Sequence, residues 1–400
     1  MIAREQYLQQ LIRRKDKQVI KVVTGIRRCG KSTLLKMFQD YLMEQGTDPQ
    51  QIISVNLERG EYRRIRDAEA LYTYIHERLL ADGRQNYVFL DEVQNVPEFQ
   101  RAVDWLYAEP HVDLYLTGSN AYLLSSDLAT LLSGRYMEIK MLPLSFAEYR
   151  SAFPSEENLP KLYASYLMNS SFPGALEFTD REDIHAYLEG IYNTVLIKDV
   201  AARRKIADMT MLESVVEYMY DNIGNLFSAS KIAGAMTSAG RKISGATVES
   251  YIQALTDSFI LYKANRYDIR GKERLKNGAK YYAVDIGLRY FLLGSNLTDT
   301  GHILENIVYL ELIRRGYEVF VGKNGTEEVD FVTYRAGEKG YYQVSLSVLD
   351  EKTLARELRP LQDIRDNYPK YLLTMDYLPD SSFEGIQHRN VLEWLCEKMD

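Results

Sequence analysis

Residues 19–38 read VIKVVTGIRRCGKSTLLKMF. Val19 to Thr24 is a β-branched run of the kind that forms a buried parallel strand, and beyond it Leu34, Leu35, Phe38 and Leu42 recur at helical spacing. Between strand and helix stand Gly25, four residues, and then Gly30-Lys31-Ser32, the G-x-x-x-x-G-K-[ST] pattern in the context it requires. The glycines let the backbone curl so that successive N–H groups and the positive end of the helix face an anion. The segment Gly25, Ile26, Arg27, Arg28, Cys29, Gly30, Lys31, Ser32 and Thr33 therefore predicts a cradle for nucleotide phosphate. Lys31 would reach the β- and γ-phosphates, and the Ser32 hydroxyl would hold Mg²⁺.

A phosphate cradle needs a carboxylate for the metal and a group that activates water. NYVFLDEVQNV supplies both: Tyr87 to Leu90 reads as a buried strand, Asp91 ends it as a candidate Mg²⁺ ligand, and Glu92 follows to polarise the attacking water. A third strand, in VDLYLTGSNAYLL, ends in Thr117, Gly118, Ser119 and Asn120, whose polar groups could sense the γ-phosphate or the attacking water. Arg135, in LLSGRYMEIKMLPLSFAEY, could neutralise transition-state charge in its own subunit or a neighbour's; a surface salt bridge fits its spacing equally well.

Composition limits what surrounds this loop. With 400 residues, 46% of them hydrophobic and 26% charged, the chain is long enough for two or three globular domains. Cys29 and Cys396 are the only cysteines, too few for a disulfide framework, so the expectation is a reducing, cytoplasmic location. The charged N-terminus lacks the apolar core of a signal peptide, and no later segment has the ~18 consecutive apolar residues of a spanning helix. A net charge of −7 argues against coating nucleic acid with the whole surface while leaving room for a local basic patch. His76, His111, His185, His302 and His388 are scattered without metal-ligand spacing.

From about Phe153 longer helical patterns replace the strand and helix alternation. SASKIAGAM and ISGATVESYIQALTDSFIL read as two helices joined by a glycine-bearing turn, the second with Val248, Tyr251, Ile252, Leu255 and Phe259 on one face and Ser244 as N-cap. Two strands follow, Leu261 to Tyr267 and Lys280 to Val284, around a basic loop. Helices followed by a hairpin have the layout of a winged helix. Between Tyr262 and Lys280 there are seven basic side chains (Lys263, Arg266, Arg270, Lys272, Arg274, Lys276, Lys280) against Asp268 and Glu273. Phosphate contacts from DNA, an acidic protein partner and a plain solvated hairpin all remain open.

The last hundred residues begin with a helix whose Leu304, Ile307, Val308 and Leu312 share a face, followed by strands at 318–322, 328–334 and 340–348. Glu305, Asp330, Gln343 and Ser345 have a layout that resembles the PD-(D/E)XK nuclease fold, in which a helix glutamate, a strand aspartate and an acidic-x-lysine triplet hold a divalent metal. YQVS departs from that triplet: an amide replaces the carboxylate and a hydroxyl replaces the lysine, which weakens both metal binding and catalysis. The expectation is an inactive domain of that fold; a nuclease regulated by ATP is the alternative.

TGIRRCGKSTLL, FLDEVQNV, LTGSNAYLLS and GRYMEIKMLPLSFAEY, in this order, resemble the AAA-type P-loop ATPases of the archaeal and STAND-related prokaryotic group. The resemblance implies ATP and Mg²⁺ as ligands, Asp91 and Glu92 as metal ligand and catalytic acid, Asn120 or Ser119 as sensor, and Arg135 as the arginine of the GR step. It also implies a sensor strand lying between those that carry the phosphate loop and Asp91. The expected fold class is α/β: a P-loop ATPase with a parallel sheet over 1–150, a helical connector over 151–210, a winged-helix-like domain over 211–298 and a nuclease-like α/β domain over 299–400. The expected activity is ATP hydrolysis that drives a switch on DNA or a protein partner, with no membrane association and with oligomerisation open; regulatory ATP binding by a protein-interaction module is a further alternative.

Overall fold

The computed structural model describes residues 2–119, 134–201, 206–294, 299–378 and 382–397. The chain divides into two compact units, Met1–Pro143 with Asp257–Phe259, and Leu144–Thr256 with Ile260–Asp400. No helix of the described residues is long and apolar enough to cross a membrane.

The first unit runs α1 (Glu5–Arg14), β1 (Ile20–Thr24), α2 (Lys31–Glu44), β2 (Ile52–Asn56), α3 (Ala68–His76), β3 (Asn86–Asp91), α4 (Phe99–Ala108), β4 (Val112–Gly118) and β5 (Tyr136–Lys140). Among the described residues its strands form a five-stranded sheet in the order β2-β3-β4-β1-β5, and every pairing is parallel. Both faces of β1 and β3 are buried, which is why these strands read as continuous apolar runs rather than alternating ones. One side of the sheet packs Val22, Val88, Leu90, Leu114 and Leu116 against Leu71 and Ile75 of α3 and Val103 and Leu106 of α4. With β4 between β1 and β3, the loop after Thr24 and the carboxylates after Leu90 emerge at the same carboxyl edge, where open α/β sheets bind ligands.

The second unit begins with α5 (Phe146–Ser151), α6 (Leu159–Asn169), α7 (Arg181–Thr194) and α8 (Met209–Asp221). There follow β6 (Leu226–Phe227), α9 (Ala229–Ser238), α10 (Gly245–Asp257), β7 (Leu261–Asp268) and β8 (Glu273–Ala283). After α11 (Ile286–Leu293) and α12 (Thr300–Arg314) come β9 (Glu318–Asn324), β10 (Glu327–Arg335), β11 (Glu338–Ser345) and α13 (Glu351–Gln362). The last elements are β12 (Lys370–Thr374), β13 (Ser382–Phe383), β14 (Ile386–Asn390) and α14 (Val391–Cys396). Among the described residues these strands make a mixed sheet of nine, ordered β13-β14-β12-β11-β10-β9-β7-β8-β6. The β7–β8 hairpin thus continues into the C-terminal strands, through parallel pairing of Arg266, Tyr267 and Asp268 with Val321, Gly322 and Lys323.

The hairpin corrects the sequence reading of a long basic loop. Its second strand starts at Glu273, not Lys280, and pairs Asp268 with Glu273, Tyr267 with Arg274 and Arg266 with Leu275 across a bulge after Asn265. Polar side chains hid this strand because its stability comes from the ladder itself and from β9 beyond β7, not from an apolar alternation of its own.

Candidate functional site

The phosphate-loop sequence closes onto α2 through two glycines with distinct jobs. Gly30 caps the helix at φ 104° in the left-handed region, and among the described residues it offers no side chain to cap α2. At Gly25 a Cβ would meet the Met141 carbonyl oxygen at 2.1 Å, so only glycine fits. The Lys31 ammonium curls into the loop, donating to the Gly25 and Ile26 carbonyls at 3.0 and 3.1 Å, and lies 3.5 Å from the Glu92 carboxylate. Cys29 is fully buried beneath the loop, and burial pushes its thiol pKa up. Arg27 extends to Glu58 at 2.7 Å.

Asp91 and Glu92 end β3 beside this lysine. The Asp91 carboxylate accepts the Thr117 hydroxyl at 2.5 Å and the Asn56 amide at 2.7 Å, and the Ser32 hydroxyl also bonds to it. Burial raises the Asp91 pKa, with the adjoining Glu92 charge adding to it, against the opposing pull of Thr117, Ser32 and Lys31. Glu92 adopts a left-handed conformation at φ 54°. Its backbone N–H donates to Thr117 Oγ1 at 2.9 Å, and its carboxylate is bonded by the Gln94 amide. Burial pushes Glu92 up, yet Lys31, Gln94, Arg27 and Ser119 together leave its pKa below the ordinary carboxylate value. A metal bound here would find Ser32 and Asp91 oxygens, the hard donors that suit Mg²⁺.

Lys31, Ser32, Asp91, Glu92 and Ser119 are brought together, whereas Asn120 lies outside the described residues. Arg135 makes the surface salt bridge that was one of its two expected roles. It precedes β5, and β5 runs parallel to β1 with Tyr136 beside Ile20 and Lys140 beside Thr24. Four residues of strand, about 13 Å, therefore separate Tyr136 from the level of Thr24. There Arg135 pairs with Asp104 at 2.7 Å in an exposed salt bridge.

Two contributors escaped the sequence reading. Asn56 ends β2, which neighbours β3, and only the pairing of Asn56 with Asp91 reveals it. Arg4 is buried and donates to the carbonyls of Cys29 at 3.0 Å and Leu142 at 2.6 Å, bracing the underside of the loop. An isolated arginine before an amphipathic helix carries no signal of that contact.

In the second unit, Glu305, Asp330, Gln343 and Glu357 line a cavity of about 520 Å³. Asp330 accepts the Val344 N–H at 2.8 Å, and the Gln343 amide donates to Glu357 at 2.9 Å. Ser345, the hydroxyl in the lysine position of the nuclease pattern, donates to the Ser347 carbonyl at 3.3 Å. A lysine nevertheless reaches the cluster from β8: buried Lys280 bonds to Glu305 at 2.9 Å and to Glu328 at 2.8 Å. Lys280 is thus removed from the set of exposed hairpin cations. Arg274, paired with Glu318 at 2.8 Å, and Arg270, bonded to Asn324 at 2.8 Å, are also committed within the unit.

Residues 17–150 match the family model described as an AAA domain, and residues 160–299 match a domain of unknown function (DUF8612). The Walker-type ATPase of Pyrococcus abyssi is similar in fold, with a TM-score of 0.50 and 17% identity over 73% of this chain and 96% of that one. The first unit thus carries an AAA-type P-loop ATPase fold. An uncharacterized protein of Haemophilus influenzae is 41% identical over 99% of both chains, and this chain belongs to the same family. An uncharacterized protein of Methanocaldococcus jannaschii is 27% identical over 92% of this chain and 84% of its own.

Proposed function

We propose that the protein binds ATP and hydrolyses its γ-phosphate at the carboxyl edge of the first sheet, and that nucleotide state switches the second unit's engagement with a partner. The convergence of Lys31, Asp91 and Glu92, locked through Thr117, carries this reading. Loop N–H groups from Gly25 to Thr33 hold the phosphates, Lys31 bridges the β- and γ-phosphates, and Ser32 and Asp91 hold Mg²⁺. Bound Mg²⁺ would neutralise charge on the phosphates. Glu92, ionised at neutral pH, orients and polarises the attacking water, with Ser119 or Asn120 as sensor.

The succession α8, β6, α9, α10 and the β7–β8 hairpin supports a winged-helix reading and hence DNA as partner. Protein is the second reading, favoured by a specific observation. The exposed face of α10 presents Ala246, Glu249, Ser250 and Gln253 with no basic residue, and Lys280, Arg274 and Arg270 are tied up internally.

The test is ATP turnover by the purified protein and its Lys31→Ala and Glu92→Gln variants, with and without duplex DNA at low and high salt. Lys31→Ala should abolish binding, and Glu92→Gln should retain binding while losing turnover. Full hydrolysis by Glu92→Gln would remove the role given to Glu92. Salt-sensitive stimulation by duplex selects DNA, and indifference to duplex selects a protein partner.

A further inference from the structure

The second unit contains a cavity of about 1000 Å³ between the β7–β8 turn, the strands β10 and β11, and the loop after α13. At its floor lies Lys339, a charged side chain only 8% exposed. Its ammonium is surrounded by aromatic rings, 4.8 Å from the centroid of Tyr341, 5.2 Å from Tyr267, 5.5 Å from Tyr368 and 5.8 Å from Tyr334. It pairs with the Asp366 carboxylate at 3.8 Å, which also accepts the Tyr341 hydroxyl at 2.5 Å. Burial lowers the Lys339 pKa, against a smaller upward pull from Asp366, and Lys272 lowers it further.

Three more cations, Arg270, Lys272 and Arg365, line the same cavity, against the carboxylates of Asp363 and Asp366. Arg365 is exposed and makes no ion pair or hydrogen bond among the described residues. Tyr368, 46% exposed, leaves one ring accessible at the rim.

This combination narrows the ligand. A simple inorganic anion would use the cations and leave the exposed Tyr368 ring unused, and an apolar ligand would leave Arg365 without a counter-charge. A cationic ligand would be repelled by Lys339 and Arg365. A flat aromatic group carrying phosphate uses both features, since bases stack on tyrosine and guanidinium groups bind phosphate oxygens in pairs. We propose that this cavity binds a nucleotide unit, its base against Tyr368 and Tyr334 and its phosphate held by Arg365, Lys272 and Lys339. The ligand is either a free nucleotide or one residue of a single-stranded nucleic acid. This site lies apart from the phosphate loop in sequence and chemistry, and does not depend on ATP hydrolysis.

The experiment uses full-length Lys31→Ala protein, which removes the phosphate loop from the measurement, so its outcome is independent of whether that loop turns over ATP. AMP is titrated by calorimetry, and a fluorescein-labelled oligothymidylate of about twelve nucleotides by anisotropy, at about 50 mM salt. Arg365→Ala and Tyr368→Ala, both at exposed positions, are added singly, with thermal melting to show that each variant is folded. The expected result is that at least one probe binds and that each substitution weakens it about tenfold or more. AMP as the tighter probe identifies a free nucleotide, and the oligothymidylate as the tighter probe identifies a strand. Failure of both probes to bind, or binding unchanged in both variants, overturns the proposal.

Discussion

Thr117 donates its hydroxyl to the Asp91 carboxylate at 2.5 Å while accepting the Glu92 N–H at 2.9 Å. One side chain of β4 thereby fixes both acidic residues of β3. Two neighbouring strands, not the loop alone, set the geometry opposite Lys31.

Thr117→Val keeps the shape and loses both bonds. ATP turnover should fall about 10- to 100-fold with little change in nucleotide affinity, because the loop contacts are untouched. Thr117→Ser should recover most of the loss. Steady-state turnover together with equilibrium binding separates the two effects; an equal loss of binding would place Thr117 in the phosphate contacts instead.

Arg135→Ala removes an exposed pair with Asp104, for which a cost below about 1 kcal/mol is expected. Turnover in dilute protein should stay within about twofold of wild type. A loss of about 10³-fold that appears only at concentrations where copies associate would give Arg135 a role in a neighbour's site.

Lys21 and Asp113 form a salt bridge inside the first unit, with side chains 0% and 2% exposed. Asp113→Ala leaves the ammonium buried without its partner and should cost about 3–5 kcal/mol, read by chemical denaturation. Replacing both residues with apolar ones of similar size should restore much of that stability. A double variant as unstable as the single one would mean that the remaining bonds of Asp113, to Tyr115 and Asp16, matter more than the pair.

Asp330 sits in the second unit with its pKa pushed well above 3.8 by burial first and by the nearby Glu305 charge next, against Lys280. The folded state therefore holds this proton more tightly than the unfolded chain, and stability falls as pH rises from 3.8 toward the folded value. Asp330→Asn should leave melting unchanged near pH 4 and become progressively more stable than wild type toward pH 8. A difference that is constant across that range would show that Asp330 does not titrate there.

The sequence by itself determined the P-loop ATPase fold of the first unit, because local chemistry and local chain order coincide there. GIRRCGKST must curl between a strand and a helix, and an apolar run ending in Asp91 and Glu92 must be a buried strand delivering acids to its carboxyl end. The remainder depended on contacts between residues far apart in the chain. Asn56 and Thr117 join Asp91 only through strand neighbours, and Arg135 is distanced from the loop only by the parallel register of β5 on β1. Likewise Lys280, which in sequence is one more hairpin cation, becomes the counter-charge of Glu305 once β8 packs beside α12. Tyr267, Tyr334, Lys339 and Tyr368 meet because β7 is joined to β10 through β9, a pairing with no local signature. Periodicity and motifs report what a segment needs from its surroundings, whereas which distant side chain meets that need is settled by sheet order and register.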